Sequence, residues 1–276
     1  MKKNTMMIIL AAVFAAIFLV SAFVLWQDYK DQKESAEAFD DIANLVVIET
    51  EPTEVPEETT DETEPNTEPE ETVSELTVFE KYSAVYEQNS DFVGWLSIEG
   101  TNINYPVMQT IDEPNFYLKR AFDKSYSDYG VPYVQENCDL VTSDNLVIYG
   151  HNMSNGSMFA DLCKYESEDF YKEHPVIHFD TLTGYGEYEI VTVFKTVAYS
   201  KDGFKYYHFV NAEDEDAFNT FMDRCMELSL YDTGVYAEYG DKLIMLSTCE
   251  YSRTNGRMVV VAKLITPPAG EVGADA

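Results

Sequence analysis

One cysteine and one arginine stand eight positions apart in the stretch LIMLSTCEYSRTNGRMVVVAKL, residues 243–264. Cys249 closes one apolar run and Arg257 opens the next. A nucleophilic thiol needs a lowered pKa or a neighbouring base, and a donor for the oxyanion that its attack creates. A guanidinium is such a donor, with several N–H groups in fixed geometry. Four histidines compete to be the base. His174 and His178 lie around the apolar stretch VIHF and fit a sheet face. His208 sits in the aromatic cluster FKYYHFV and fits packing or a substrate wall. His151 follows the apolar run NLVIY, with Gly150 before it and the polar loop NMSNGS after it. A strand end followed by such a loop is where a scaffold presents a side chain. His151 is the candidate base, with an ordinary loop histidine as the alternative.

These side chains need a rigid carrier. GWLSIEGTNINYPVMQ predicts a strand, a Gly-Thr turn and a second strand. VPYVQ, NLVIYG, PVIHFD, GEYEIVTVFKTVAYS, KLIMLSTC and RMVVVAKLI predict further strands, most of them short, β-branched or aromatic, and bounded by Gly, Asp, Asn or Pro. Many short strands so punctuated suggest a closed barrel or a sandwich. Three helices accompany them. The first carries Val78, Phe79, Tyr82, Val85 and Tyr86 at helical spacing. A second, SMFADLCKYESEDFYKE, follows His151. The third spans Asn211–Leu230, with Asn211 as N-cap and with Phe218, Phe221, Met222, Cys225 and Met226 on one face as core packing. The expected folded domain is residues 76–266, mainly β, with a flexible tail at 267–276.

Outside this domain the chain changes character. Lys2 and Lys3 precede an apolar run from Met6 to Trp26 that only Ser21 interrupts. A helix of that length reaches roughly 30 Å, the thickness of a bilayer core. The run ends in Phe23, Val24, Leu25 and Trp26 rather than a small-residue cleavage site, so residues 1–27 read as an uncleaved signal anchor. Cleavage as a signal peptide is the alternative. The lysines keep the N-terminus cytoplasmic and send the rest outside the cell membrane. Residues 28–75 read as a juxtamembrane segment and a disordered spacer, because 49–75 hold twelve carboxylates, four prolines and no Lys or Arg. An acidic partner-binding tail is the other reading. The whole chain carries 50 acidic and 18 basic side chains, a formal charge of −32, which argues against nucleic acid as a partner. Cys225 reads as a core residue. Cys138 and Cys163 read as buried thiols or a bridged pair, and no Cys–His spacing suits zinc.

The segments NLVIYGHNMSNGSMFADLCKY, LIMLSTCEYS and NGRMVVVAKL together resemble the sortases, specifically those of class B. GWLSIEGTNINYPVMQ and FYLKRAFDKSYSDYGVPYV resemble the start of that family's domain, so the likeness covers nearly all of Asp91 to Leu264. The resemblance implies a closed sortase-like β-barrel with an N-terminal helix and a long helix inserted between late strands. It implies that Cys249 is the nucleophile, His151 the general acid and base, and Arg257 the oxyanion or substrate-backbone ligand. Ser247, Thr248 and Glu250 flank the nucleophile and would shape the site or touch substrate. Leu118 and Tyr207 would line the peptide groove, with ordinary packing as the alternative. The implied partners are sorting-signal peptides of surface proteins, of the form Asn-Pro-x-Thr and cut after Thr. A cell-wall precursor amine or a pilin lysine would accept the acyl group. No metal or organic cofactor is implied; the acidic run Glu213–Asp216 reads as the solvated start of a helix rather than a calcium site. The chain departs from the class in its short loop between Cys249 and Arg257, where Arg253 competes for the arginine role. RMVVVAK keeps the register of the family's last strand, which favours Arg257. Two rival functions share the same residues: a peptidase that only hydrolyses, and a membrane-tethered binding module without catalysis.

Overall fold

The structure is a computed structural model that describes residues 2–47, 77–201 and 203–265. Among the described residues there are eight strands: β1 (Phe92–Ser97), β2 (Asn104–Met108), β3 (Tyr133–Val134), β4 (Asn145–Tyr149), β5 (Val176–Thr181), β6 (Glu187–Val197), β7 (Leu243–Glu250) and β8 (Gly256–Leu264). They close into one barrel in the order β1-β2-β3-β4-β7-β8-β6-β5, with β5 returning to β1. Closure removes the free edges that a sheet of this size would otherwise expose. Every pairing is antiparallel except β2–β3 and β4–β7. The middles of β4, β7 and β8 are fully apolar and buried, from Leu146 to Ile148, Ile244 to Leu246 and Met258 to Ala262. Continuous rather than alternating runs are what strands covered on both faces require.

The helices refine the expectations. Helix α2 (Val78–Gln88) opens with a reciprocal cap: Glu80 N–H donates to Thr77 Oγ1 at 3.3 Å, and Thr77 N–H to Glu80 Oε2 at 2.8 Å. Val78, Tyr82 and Val85 are buried, whereas Phe79 stays exposed on the helix against Tyr86. The segment after His151 is not one helix but a 3₁₀ stretch, Ala160–Glu166, and a single helical turn and a half, α3 (Glu168–Glu173). Helix α4 (Glu215–Glu227) stands between β6 and β7 and buries Phe218, Phe221, Met222 and Cys225. Its N-cap is Asp214, whose side chain accepts the Ala217 N–H at 2.8 Å, and not Asn211. Asn211 instead accepts the Asp144 N–H at 3.1 Å and ties the loop to β4.

Helix α1 runs from Lys2 to Ala43 without a break. Its apolar stretch Met6–Trp26 is exposed throughout. Among the described residues it is the one helix long and apolar enough to cross a membrane. The reading of 28–75 as disordered is corrected over 28–47. Residues 28–43 continue the helix, helped by the i,i+4 pairs Lys30–Glu34 at 3.0 Å and Lys33–Glu37 at 3.3 Å. Its end docks on the barrel: Ile42 is buried, and Val47 N–H donates to Lys81 O at 3.1 Å in α2. The acidic stretch 48–75 and the tail 267–276, both expected to lack structure, lie outside the described residues. All four cysteines are free, so the bridged pair is not formed.

Candidate active site

β4 and β7 lie side by side and point the same way, in register from Asn145 opposite Leu243 to Tyr149 opposite Ser247. Parallel pairing brings the C-terminal ends of both strands to one rim of the barrel. His151 lies two residues beyond Tyr149, and Cys249 two beyond Ser247. The antiparallel β7–β8 ladder then sets Arg257 directly opposite Cys249. Three consecutive strands of the barrel thus deliver an imidazole, a thiol and a guanidinium to one place.

Short contacts stitch the histidine segment to the cysteine strand. Gly150 N–H donates to Ser247 O at 3.2 Å, Thr248 Oγ1 donates to Gly150 O at 2.8 Å, and Asn152 Nδ2 donates to Cys249 O at 2.9 Å. Gly150 is a necessity of packing, since a Cβ there would sit 2.5 Å from the buried Phe159 ring. Gly256 has the same role across the turn, where a Cβ would meet Glu250 O at 2.4 Å. Without that close approach β8 could not start where it places Arg257.

His151, Cys249 and Arg257 line a common cleft of about 440 Å³. Leu118, Tyr207, Ser247 and Thr248 line it too, as does His208. His151 Nε2 lies 2.7 Å from the Leu118 carbonyl oxygen. A carbonyl only accepts, so Nε2 carries the proton and, in the neutral ring, Nδ1 is the basic nitrogen. Arg257 Nη1 donates to Gly256 O at 2.9 Å, and among the described residues the guanidinium has no carboxylate partner. Ser247 is 1% exposed, with Oγ 2.6 Å from the Tyr206 hydroxyl. Burial pushes Tyr206 up to about 12, with the Ser247 hydrogen bond and Arg257 opposing, and burial likewise raises Tyr133 and Tyr149. The tyrosine side of the cleft is therefore aromatic, hydroxylated and uncharged, while Glu136 and Arg257 also line the cleft. Sequence reasoning missed Tyr133, Tyr149, Tyr199 and Tyr206 there. A tyrosine in or next to a strand carries no local mark that separates a cleft wall from core.

Glu250 does not line the cleft. Its carboxylate accepts the Ser252 N–H at 2.8 Å and the Ser252 hydroxyl at 2.7 Å, and lies 3.8 Å from Lys195 Nζ. Burial raises its carboxyl, but Ser252, Lys195 and Arg253 outweigh burial and hold it below the usual range. Glu250 braces the β7–β8 turn and so holds the two strands that carry Cys249 and Arg257. Arg253 is exposed on that turn and away from the cleft. His174 is occupied with Glu99 O at 2.8 Å, and His178 lies 3.9 Å from Glu187. Among the described residues no three His, Cys, Asp or Glu side chains are grouped to hold a metal ion.

The family description "Sortase domain" matches residues 96–265, a stretch that contains the whole rim. The chain belongs to the sortase family. Sortases are cysteine transpeptidases, and the relatives of this one fall in class B. Sortase B of Listeria monocytogenes is 31% identical over 261 residues, covering 93% of this chain and 96% of the relative. Sortase B of Staphylococcus aureus is 31% identical over 188 residues, covering 67% of this chain and 75% of the relative. A Staphylococcus aureus sortase B–substrate complex superposes with a TM-score of 0.63 at 30% identity, over 69% of this chain and 87% of that one. Sortase B from B. anthracis in complex with AAEK1 gives 0.66 at 26% identity, over 87% of this chain and all of that one. The sortase barrel, the N-terminal helix and the helix between late strands all agree with the resemblance read from the motifs.

Proposed function

We propose that this sortase cuts a C-terminal sorting signal of the Asn-Pro-x-Thr kind after its threonine and transfers the acyl group to an amine. The observation that carries the proposal is the register of Cys249 with Arg257, at the rim where His151 follows the parallel strand β4. The Cys249 thiol gives its proton to His151 and its sulfur attacks the threonine carbonyl. The tetrahedral oxyanion accepts N–H groups of Arg257, the donor role with the largest leverage on such a step. His151 gives a proton to the departing amine, and a thioester remains on Cys249. The second substrate's amine passes a proton to His151 and attacks the thioester; the C–S bond breaks, and the leaving sulfur takes that proton back as the thiol. Nδ1 is the nitrogen that exchanges these protons, because Leu118 holds Nε2–H. Every step uses only side chains of the chain itself.

The uncharged tyrosine side of the cleft supports contact with the uncharged Asn, Pro and Thr of such a segment, and Leu118 and Tyr207, which line the cleft, would touch it. One related structure is a sortase B–substrate complex and another is sortase B complexed with triglycine, a peptide that ends in a free amine. The acceptor here is an amine of a cell-wall precursor or a pilin lysine. Helix α1 anchors the chain in the cell membrane with Lys2 and Lys3 in the cytoplasm, and the barrel works outside. The test is product analysis of the full chain in detergent with sorting peptides, with and without triglycine. Peptide–triglycine conjugate is expected. Free peptide acid alone, whatever amine is offered, would make the enzyme a hydrolase. Unchanged turnover by Cys249→Ala would remove the thiol from the reaction.

A further inference from the structure

We infer that the C-terminal end of α1 positions the His151 loop, acting through Phe39 and Tyr105. The inference rests on the proposed role of His151. From Met6 to Asp31 the helix is exposed on every side. After that, Gln32, Ser35, Phe39 and Ile42 turn inward at i, i+3, i+7 and i+10, one stripe of a helix. The Phe39 ring meets the Tyr105 ring edge-on, with centroids 5.0 Å apart. Tyr105 is buried on β2, and its hydroxyl accepts the Met158 N–H at 3.0 Å.

Met158 is the point where the loop after His151 is fixed. Its φ is +58°, in the left-handed region that a residue with a side chain holds only when its surroundings enforce it. It pairs across the loop with Asn152, and the next residue, Phe159, donates its N–H to His151 O at 2.7 Å. Asn152 in turn holds Cys249 O. The contacts Phe39 to Tyr105, Tyr105 to Met158 and Phe159 to His151 form a continuous path from the membrane helix to the base. Each link fixes a group whose displacement would move the imidazole relative to the thiol. Phe39 and Tyr105 are positioning residues, since neither lines the cleft.

The test uses the full chain in lipid nanodiscs with the variants Phe39→Ala, Phe39→Tyr, Tyr105→Phe and Cys249→Ala. Tyr105→Phe keeps the ring and removes only the acceptor for Met158 N–H. Peptide turnover is measured together with hydrogen exchange of the backbone over 151–159 and over β7 and β8. For Phe39→Ala and Tyr105→Phe, kcat should fall about 2- to 30-fold with KM unchanged, the range expected of changes along a contact path. The Met158 and Phe159 amides should exchange about 10-fold faster or more while the barrel strands keep their protection. Phe39→Tyr, which restores the ring, should keep wild-type kcat. Cys249→Ala should be inactive; if it is active the proposed function fails, whatever Phe39 does. If Cys249→Ala is inactive but Phe39→Ala and Tyr105→Phe keep wild-type kcat or wild-type exchange, the positioning inference alone falls. Uniform loss of protection across the barrel overturns it as well, because that marks general destabilisation. Exchange needs no substrate, so it decides even for a peptide the enzyme turns over poorly.

Discussion

Replacing Gly150 by alanine perturbs the site through one added methyl group. An ideal Cβ at 150 would lie 2.5, 2.6 and 2.8 Å from three carbons of the Phe159 ring. Ordinary carbon contacts need roughly 3.5–4.0 Å, so the ring or the end of β4 must give by about 1 Å. Phe159 has no exposed surface into which to move, and its own N–H holds His151 O. The displacement is therefore passed to the imidazole. Overpacking of this kind costs about 1–3 kcal/mol, which lowers the unfolding midpoint of a domain this size by about 2–12 °C. A misplacement near 1 Å at a reacting group costs on the order of 100-fold in rate. Gly150→Ala should show both losses, read by calorimetry and by peptide turnover of the full chain in detergent. Adding Phe159→Ala removes the clashing Cγ, Cδ1 and Cδ2, so the double variant should turn over peptide faster than Gly150→Ala alone. Wild-type kcat and midpoint in Gly150→Ala, or no recovery in the double variant, would refute the claim that this glycine sets the histidine.

Arg257→Lys keeps the charge but loses the fixed fork, and kcat should drop about 100-fold or more with stability unchanged, measured by turnover and melting. Glu250→Gln should leave KM within about 2-fold of wild type, because Glu250 braces a turn outside the cleft; a large rise in KM for peptide would return it to the substrate. Tyr206→Phe leaves the buried Ser247 hydroxyl without its partner and should cost about 1–2 kcal/mol in a denaturant titration. Burial raises Cys138 and Cys163 to about 11, above the roughly 8.5 of a thiol in an unfolded chain. A raised folded pKa means that the unfolded state loses protons first as pH rises. The contribution is whole below about pH 8.5 and is lost by about 11, so melting scans should show a falling midpoint across that window.

Much of the barrel is legible in local sequence, because each strand is a β-branched or aromatic run cut off by Gly, Asp, Asn or Pro. Strand pairing is not, since the parallel match of β4 with β7 joins segments about a hundred residues apart. That pairing is what creates the site, and it became readable only through the motif order around His151, Cys249 and Arg257. Glu250 neighbours the nucleophile in sequence, while its carboxylate is held by Ser252 in the turn, a contact that no local residue pattern announces. The docked end of α1 was hidden for a compositional reason. Its inward stripe contains only two apolar residues, Phe39 and Ile42, beside polar Gln32 and Ser35 and among many acids. Asn211 and Asp214 are equally good caps by residue type, and only the bond from Asp144 to Asn211 decides between them.

The most direct measurement is the intact mass of the full chain in detergent, incubated with a panel of Asn-Pro-x-Thr peptides and mapped by proteolysis. A peptide acyl group attached at Cys249, cleared within the assay when triglycine is added and absent in Cys249→Ala, is the predicted result. Acylation of another residue, or turnover that persists in Cys249→Ala, would contradict the assignment of Cys249, His151 and Arg257 as the reacting centre.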